Sequence, residues 1–339
     1  MIVKGKEYQE LLMEGRSDDG RFGRGAFADW VAEDPLLYEA KYLVRPHEAI
    51  SLSPKDRAPL VLEEYGRLFI SQKLSGTLTL SSGVSTIPPD HEPLPLRRQN
   101  CEEALYVIQG GGTVEIENEK YDFDAGDAVF LPAWAKHRVA NTREMDLRVL
   151  FFKGIAIAPA EDFGEVFSGN SSIRVAGPDS EASMFSGKPW KYWNKVVVSE
   201  RDRLPHYTQT GGIASSPGQQ GYNYISPANV NSFTLRLVGG QGPAARLSSE
   251  SNKYAGWTVS THNTEEIHYC LEGEGILFVN GEEVHFQKGD MTFAPARSLH
   301  RIFPKDKNYR EMCATGIRFR PFEGLTESAI DQREYKILE

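Results

Sequence analysis

The chain of 339 residues is 40% apolar and 25% charged, the composition of a folded protein rather than of a disordered one, and its length predicts about two domains. Lys and Arg number 38 against 47 Asp and Glu, a net charge of −9, which argues against nucleic acid or an anionic membrane surface as the main partner. Three scattered cysteines, Cys101, Cys270 and Cys313, form no Cys-x-x-Cys pair; they exclude a disulfide framework and a zinc knuckle and read as inert. The start, Met1 to Glu7, has no apolar leader, and no uncharged apolar run approaches the roughly 18 residues of a membrane span. A cytoplasmic protein in a reducing compartment is expected.

In chain order, residues 7–15 (EYQELLMEG) predict one short helix within an N-terminal arm over 1–60, where Phe22, Phe27, Trp30, Leu36, Leu37 and Tyr38 offer apolar anchors. From 61 to 160 the sequence turns to short β-branched and aromatic runs punctuated by glycine, such as Leu105-Tyr106-Val107-Ile108, Gly110-Gly111-Gly112 and Thr113-Val114-Glu115-Ile116. Residues 161–190, rich in Gly, Ser, Ala and Pro, predict a linker. From 191 to 339 short strands resume, and Asn280-Gly281 after Ile276-Leu277-Phe278-Val279 is the clearest hairpin signal. The expectation is an all-β fold.

Residues 102–138 and 265–301 align without a gap. Glu103 and Glu266, Gly110 and Gly273, Gly126 and Gly289, Pro132 and Pro295, and His137 and His300 all stand 163 positions apart. The chain therefore reads as an internal duplication.

This spacing of Glu, Gly, Gly-Asp, Pro and His resembles the two motifs of the cupin superfamily. The resemblance implies two tandem antiparallel β-barrel (jelly-roll) domains, a bicupin, with the N-terminal arm and short helices outside them. The family's first motif supplies His-x-His and, four residues later, Glu; its second supplies another His. Carried over to the second copy, the positions are Ser260, His262, Glu266 and His300, with Arg297 where the second motif usually has Gly. The resemblance thus implies a metal held by His262, Glu266 and His300. In the first copy Arg97 and Gln99 replace both histidines of the pair, and only Glu103 and His137 remain. A metal-free barrel is expected there, with Arg97 or Arg98 bridging to Glu103 where a metal would sit; Asp90 and His91, just upstream, are alternative donors.

Strand periodicity supports the second site. If residues 260–270 form one strand, Ser260, His262, Thr264, Glu266, His268 and Cys270 share one face. Burying a carboxylate and imidazoles without a cation would cost several kcal/mol. Two His and one carboxylate suit non-haem Fe(II), because they leave positions for both substrate and O₂. His268 has three open readings: a further ligand, an acid–base residue for substrate protons, or an interior residue. Ser260 is grouped with it as a candidate at the reacting centre. Tyr222, Asn223 and Asn229, in the segment GYNYISPAN, together with Arg297 are candidates to line a pocket for a planar phenol.

Among duplicated cupins, gentisate and hydroxynaphthoate dioxygenases use three histidines in the N-terminal barrel, where this chain has Arg97 and Gln99. The chain more closely resembles the large subunits of two-component hydroquinone 1,2-dioxygenases. That implies a para-diphenol bound to Fe(II) through one hydroxyl, O₂ beside it, and ring opening to a 4-hydroxymuconic semialdehyde. It also implies a smaller cupin-like second subunit in a hetero-oligomer. The alternatives are a non-catalytic small-molecule-binding bicupin, a gentisate-type enzyme, and a Mn- or Zn-dependent hydrolase or isomerase.

Overall fold

The computed structural model describes residues 40–51, 66–77, 80–99, 101–131, 135–156, 197–198, 204–205, 219–225, 233–240, 265–296, 298, 300–305, 308–316 and 335–337. The helix expected over 7–15, most of the arm and the linker over 161–190 lie outside these residues. Among the described residues the chain is almost wholly β, with one four-residue helix, Gln72–Ser75. No described helix is long and apolar enough to cross a membrane.

The strands form two barrels of two sheets each. In the first, Cys101–Gln109 lies between Ala128–Leu131 and Leu147–Ala156 in a seven-stranded sheet, while Gly111–Ile116 lies between Glu119–Asp124 and His137–Asn141 in a five-stranded one. The second repeats the scheme. Glu266–Glu272 lies between Met291–Ala294 and Arg310–Gly316, and Glu274–Val279 lies between Glu282–Gln287 and His300–Pro304. The paired registers agree across the copies, Glu103 standing opposite Leu131 as Glu266 stands opposite Ala294.

The repeated Gly-Asp has a geometric cause. Gly126 and Gly289 have φ of 92° and 90°, a conformation that side chains rarely adopt. The following aspartates accept from the backbone three residues back: Asp124 N–H donates to Asp127 Oδ2 at 2.8 Å, and Gln287 N–H to Asp290 Oδ2 at 3.0 Å. Asn280-Gly281 forms the expected two-residue hairpin loop with φ of 49° and 87°, Val279 pairing Glu282. The first barrel makes the same turn with Glu117 and Asn118, at 48° and 77°.

Each compact unit draws on distant segments. Leu43–Val44, within the stretch expected as an arm, pairs with Met291–Thr292, and Tyr42 packs with Cys270, Leu277, Phe286 and Tyr309. Tyr335–Ile337 pairs with Arg97–Gln99, and Val197–Val198 with Ala128–Val129. The core of the first barrel is Leu105, Val107, Val114, Phe123, Val129, Leu131, Val149 and Phe151 with their neighbours.

Candidate metal centre

Glu103 and Glu266 begin parallel accounts. In the first barrel, Glu103 is fully buried and surrounded by the chain's own cations. Arg97 Nη2 donates to its Oε2 at 3.0 Å, Gln99 Nε2 to the same oxygen at 3.1 Å, and Lys153 Nζ stands 3.6 Å from Oε1. Arg97 Nε also donates to His137 Nε2 at 3.0 Å, and His137 Nδ1–H donates to the Ala135 carbonyl at 2.9 Å. The ring is thus held neutral. Burial, reinforced by the Arg97 charge, lowers the His137 pKa to about 3. Burial works to raise the Glu103 carboxyl, but Lys153, Arg97, His137 and Gln99 together hold it below its ordinary value. The expected guanidinium bridge is present and comes from Arg97; Lys153 is a second cation that the sequence reading missed. Asp90 is exposed, and the His91 ring contacts the Glu92 carbonyl.

The second barrel gives its carboxylate different neighbours. Thr315 takes the place of Lys153 in the register, opposite Glu266 as Lys153 is opposite Glu103, and its hydroxyl donates to Glu266 Oε1 at 3.0 Å. Glu266 Oε2 then lies 3.3 Å from both His300 Nε2 and His268 Nε2. His300 Nδ1 faces the Ser298 carbonyl at 3.1 Å, matching the His137–Ala135 contact, which leaves Nε2 for the interior. Cys313, read from sequence as inert, stands opposite His268 in the register. Glu266, His268 and Cys313 each place a donor atom within 4.8 Å of the other two.

Burial works to lower the His268 pKa, but Cys313, Glu311 and Glu266 raise it well above its ordinary value. Burial lowers the Arg301 pKa, opposed by the nearby carboxylates of Glu311 and Glu266. The buried Tyr309 hydroxyl donates to Glu311, and its pKa is pushed up by burial and that carboxylate.

Buried imidazoles, a carboxylate and a thiol suit a divalent transition metal, because each donor would exchange an expensive buried polar state for a coordination bond. At the register position where the first barrel places an ammonium against its carboxylate, the second places a hydroxyl. The structure brings together Glu266 and His300, two of the three expected ligands, with His268, whose role the sequence leaves open. Ser260, His262, Asn229 and Arg297 lie outside the described residues. Tyr222 and Asn223 fall on the strand Gln219–Ile225. The Cys313 signal was available only through strand pairing.

The Cupin domain family pattern matches residues 83–153 and 254–308, one stretch in each barrel. Both barrels have the cupin fold. The chain is 32% identical over 100 residues to the 1-hydroxy-2-naphthoate 1,2-dioxygenase of Nocardioides sp. strain KP7, a match covering 30% of this chain and 25% of that enzyme. The matched stretch is thus about a quarter of the relative's length. Among solved structures, protein Ylba of E. coli superposes with a TM-score of 0.55 at 15% identity, over 86% of this chain and 97% of that one. The salicylate 1,2-dioxygenase of Pseudaminobacter salicylatoxidans gives 0.52 at 13% identity, over 95% of this chain and 99% of that one. At these identities the two structures establish the fold.

Proposed function

We propose that the chain is an Fe(II)-dependent ring-cleaving dioxygenase acting on a hydroquinone-type para-diphenol, giving a 4-hydroxymuconic semialdehyde. The observation that carries the reading is the approach of His268 and His300 to one oxygen of Glu266, 3.3 Å each, inside the second cupin barrel. Local similarity to a hydroxynaphthoate dioxygenase supports the oxygenase class.

Glu266 and His300 are two of the metal's ligands. The third is an imidazole, for which the sequence pattern offers His262 and the geometry offers His268. Thr315 orients the carboxylate by holding Oε1, so that Oε2 faces the imidazoles. The Ser298 carbonyl sets the His300 tautomer in the same way. Iron bound at these donors supplies a template for substrate and O₂ and a path for electrons between them. Ser260, Tyr222, Asn223, Asn229 and Arg297 are assigned to the substrate side. The first barrel, occupied by its own guanidinium and ammonium, serves assembly in this reading, with a smaller cupin-like subunit as its partner.

The test is anaerobic reconstitution of the full chain with Fe(II), then oxygen uptake with hydroquinone, gentisate and catechol, with and without a co-expressed small cupin. Uptake confined to hydroquinone and its substituted forms is expected. Uptake on none of them from iron-loaded protein, alone or with the partner, would defeat the proposal.

A further inference from the structure

One rung of the second barrel differs from its counterpart at every position. Across the first barrel the residues Val129, Leu105 and Phe151 lie side by side on three neighbouring strands, and all three belong to the apolar core. The same rung in the second barrel is Thr292, His268 and Cys313. It sits beside Glu266, its residues are all at least 96% buried, and it includes two polar atoms with no hydrogen-bond partner, His268 Nδ1 and Thr292 Oγ1. An apolar rung would cost nothing here, whereas unsatisfied buried polar atoms cost roughly 1–3 kcal/mol each. The substitution therefore calls for an occupant that engages these groups.

We infer that Cys313 is a thiolate ligand of the metal and that His268 supplies its second imidazole, so that the ion is held by Glu266, His268, His300 and Cys313. Three of these already place donor atoms within 4.8 Å of one another, and His300 meets the same Glu266 oxygen as His268. On binding, the Cys313 thiol loses its proton to solvent and any proton on His268 leaves with it. Glu266 and the Cys313 thiolate supply two negative charges against a divalent cation, with both imidazoles neutral, so the ion and its four donors carry no net charge. Four donors leave two of six octahedral positions open. The other cysteine of this barrel, Cys270, turns its thiol to the Glu272 and Gly273 carbonyls instead.

This inference rests on the metal reading of the same site, but not on the substrate. The experiment loads the full chain anaerobically with Co(II) alone and records metal-edge X-ray absorption and the near-ultraviolet thiolate-to-metal band. The wild type should show a sulfur neighbour at roughly 2.3 Å. Cys313→Ser should lose that neighbour and the band and weaken Co(II) binding at least about tenfold. Cys270→Ser should keep both. A wild-type shell of nitrogen and oxygen alone overturns the inference, as does a sulfur neighbour that survives Cys313→Ser. A sulfur neighbour in a chain that consumes no O₂ with any diol supports the inference while the proposed function fails.

Discussion

Lys153 faces Glu103 across two neighbouring strands of the first barrel, its ammonium 3.6 Å from the carboxylate with both side chains fully buried. With Arg97 on the other carboxylate oxygen, the first barrel is held by an internal ion triad where a related barrel would hold a metal. Removing one partner of such a buried set leaves an uncompensated charge, which costs about 3–5 kcal/mol. Lys153→Met should therefore lower the urea midpoint of the first barrel markedly. Replacing the triad together, by Arg97→Met, Glu103→Leu and Lys153→Met, should recover most of that loss, since apolar substitution of a whole buried set is often neutral. A single mutant as stable as wild type would show that the triad carries no such constraint.

The buried His137 beside this triad sets a pH dependence. His137 titrates near 3 when folded and near its ordinary 6.5 when unfolded, so between these values the unfolded chain binds the extra proton. Stability of the first barrel should fall as pH drops from 6.5 towards 3, by several kcal/mol at most. Glu103, held low when folded, adds to the loss below its ordinary value of 4.5. Hydrogen exchange of the His137–Asn141 amides at pH 6.5 and 5 would follow this. His137→Gln, which keeps an acceptor for Arg97 but does not titrate, should flatten the slope in that interval.

Metal should bind to one barrel. His300→Ala removes a donor from a site with few, and iron content and oxygen uptake should both collapse. His137→Ala should leave iron stoichiometry unchanged. Equal loss in the two variants, measured by mass spectrometry of the metal, would contradict placing the centre at Glu266.

Much of this organisation is legible in the residues themselves. The Gly-Asp pairs at 126–127 and 289–290 announce their turns because only glycine takes φ near 90° readily and the aspartate then closes on the backbone. Arg97 could be foreseen beside Glu103 because only six positions of chain separate them. Glu117 and Asn118 gave no hairpin signal, since neither is glycine, yet they make the same turn as Asn280 and Gly281. Lys153 and Cys313 were hidden for another reason. The constant offset of 163 slips by one after His300, so that Lys153 corresponds in the sheets to Thr315 and Phe151 to Cys313. Partnership across strands is decided by register, which the ungapped repeat does not encode beyond that point.

Ser260 occupies the place of the family's first histidine. Ser260→His should supply another imidazole, raising metal affinity while taking a position that substrate or O₂ needs, so turnover should fall. Iron titration and oxygen uptake on the same preparation separate the two effects. Turnover that rises instead would mean that the site lacks a donor this histidine restores.

The ion triad also explains why the first barrel should refuse a metal, and the refusal can be reversed. Arg97 and Gln99 stand where the motif has its histidine pair, and Lys153 stands where the second barrel has Thr315; the remaining Glu103 and His137 keep the register positions of Glu266 and His300, and a carbonyl fixes each imidazole. Arg97→His, Gln99→His and Lys153→Thr together would remove both cations and supply two donors beside the two that remain. The triple variant should bind one more equivalent of Co(II) per chain than wild type, and His137→Ala in that background should abolish the gain. If the variant keeps its fold by circular dichroism and still takes up no additional metal, the cations at Arg97 and Lys153 are not what closes this barrel to it.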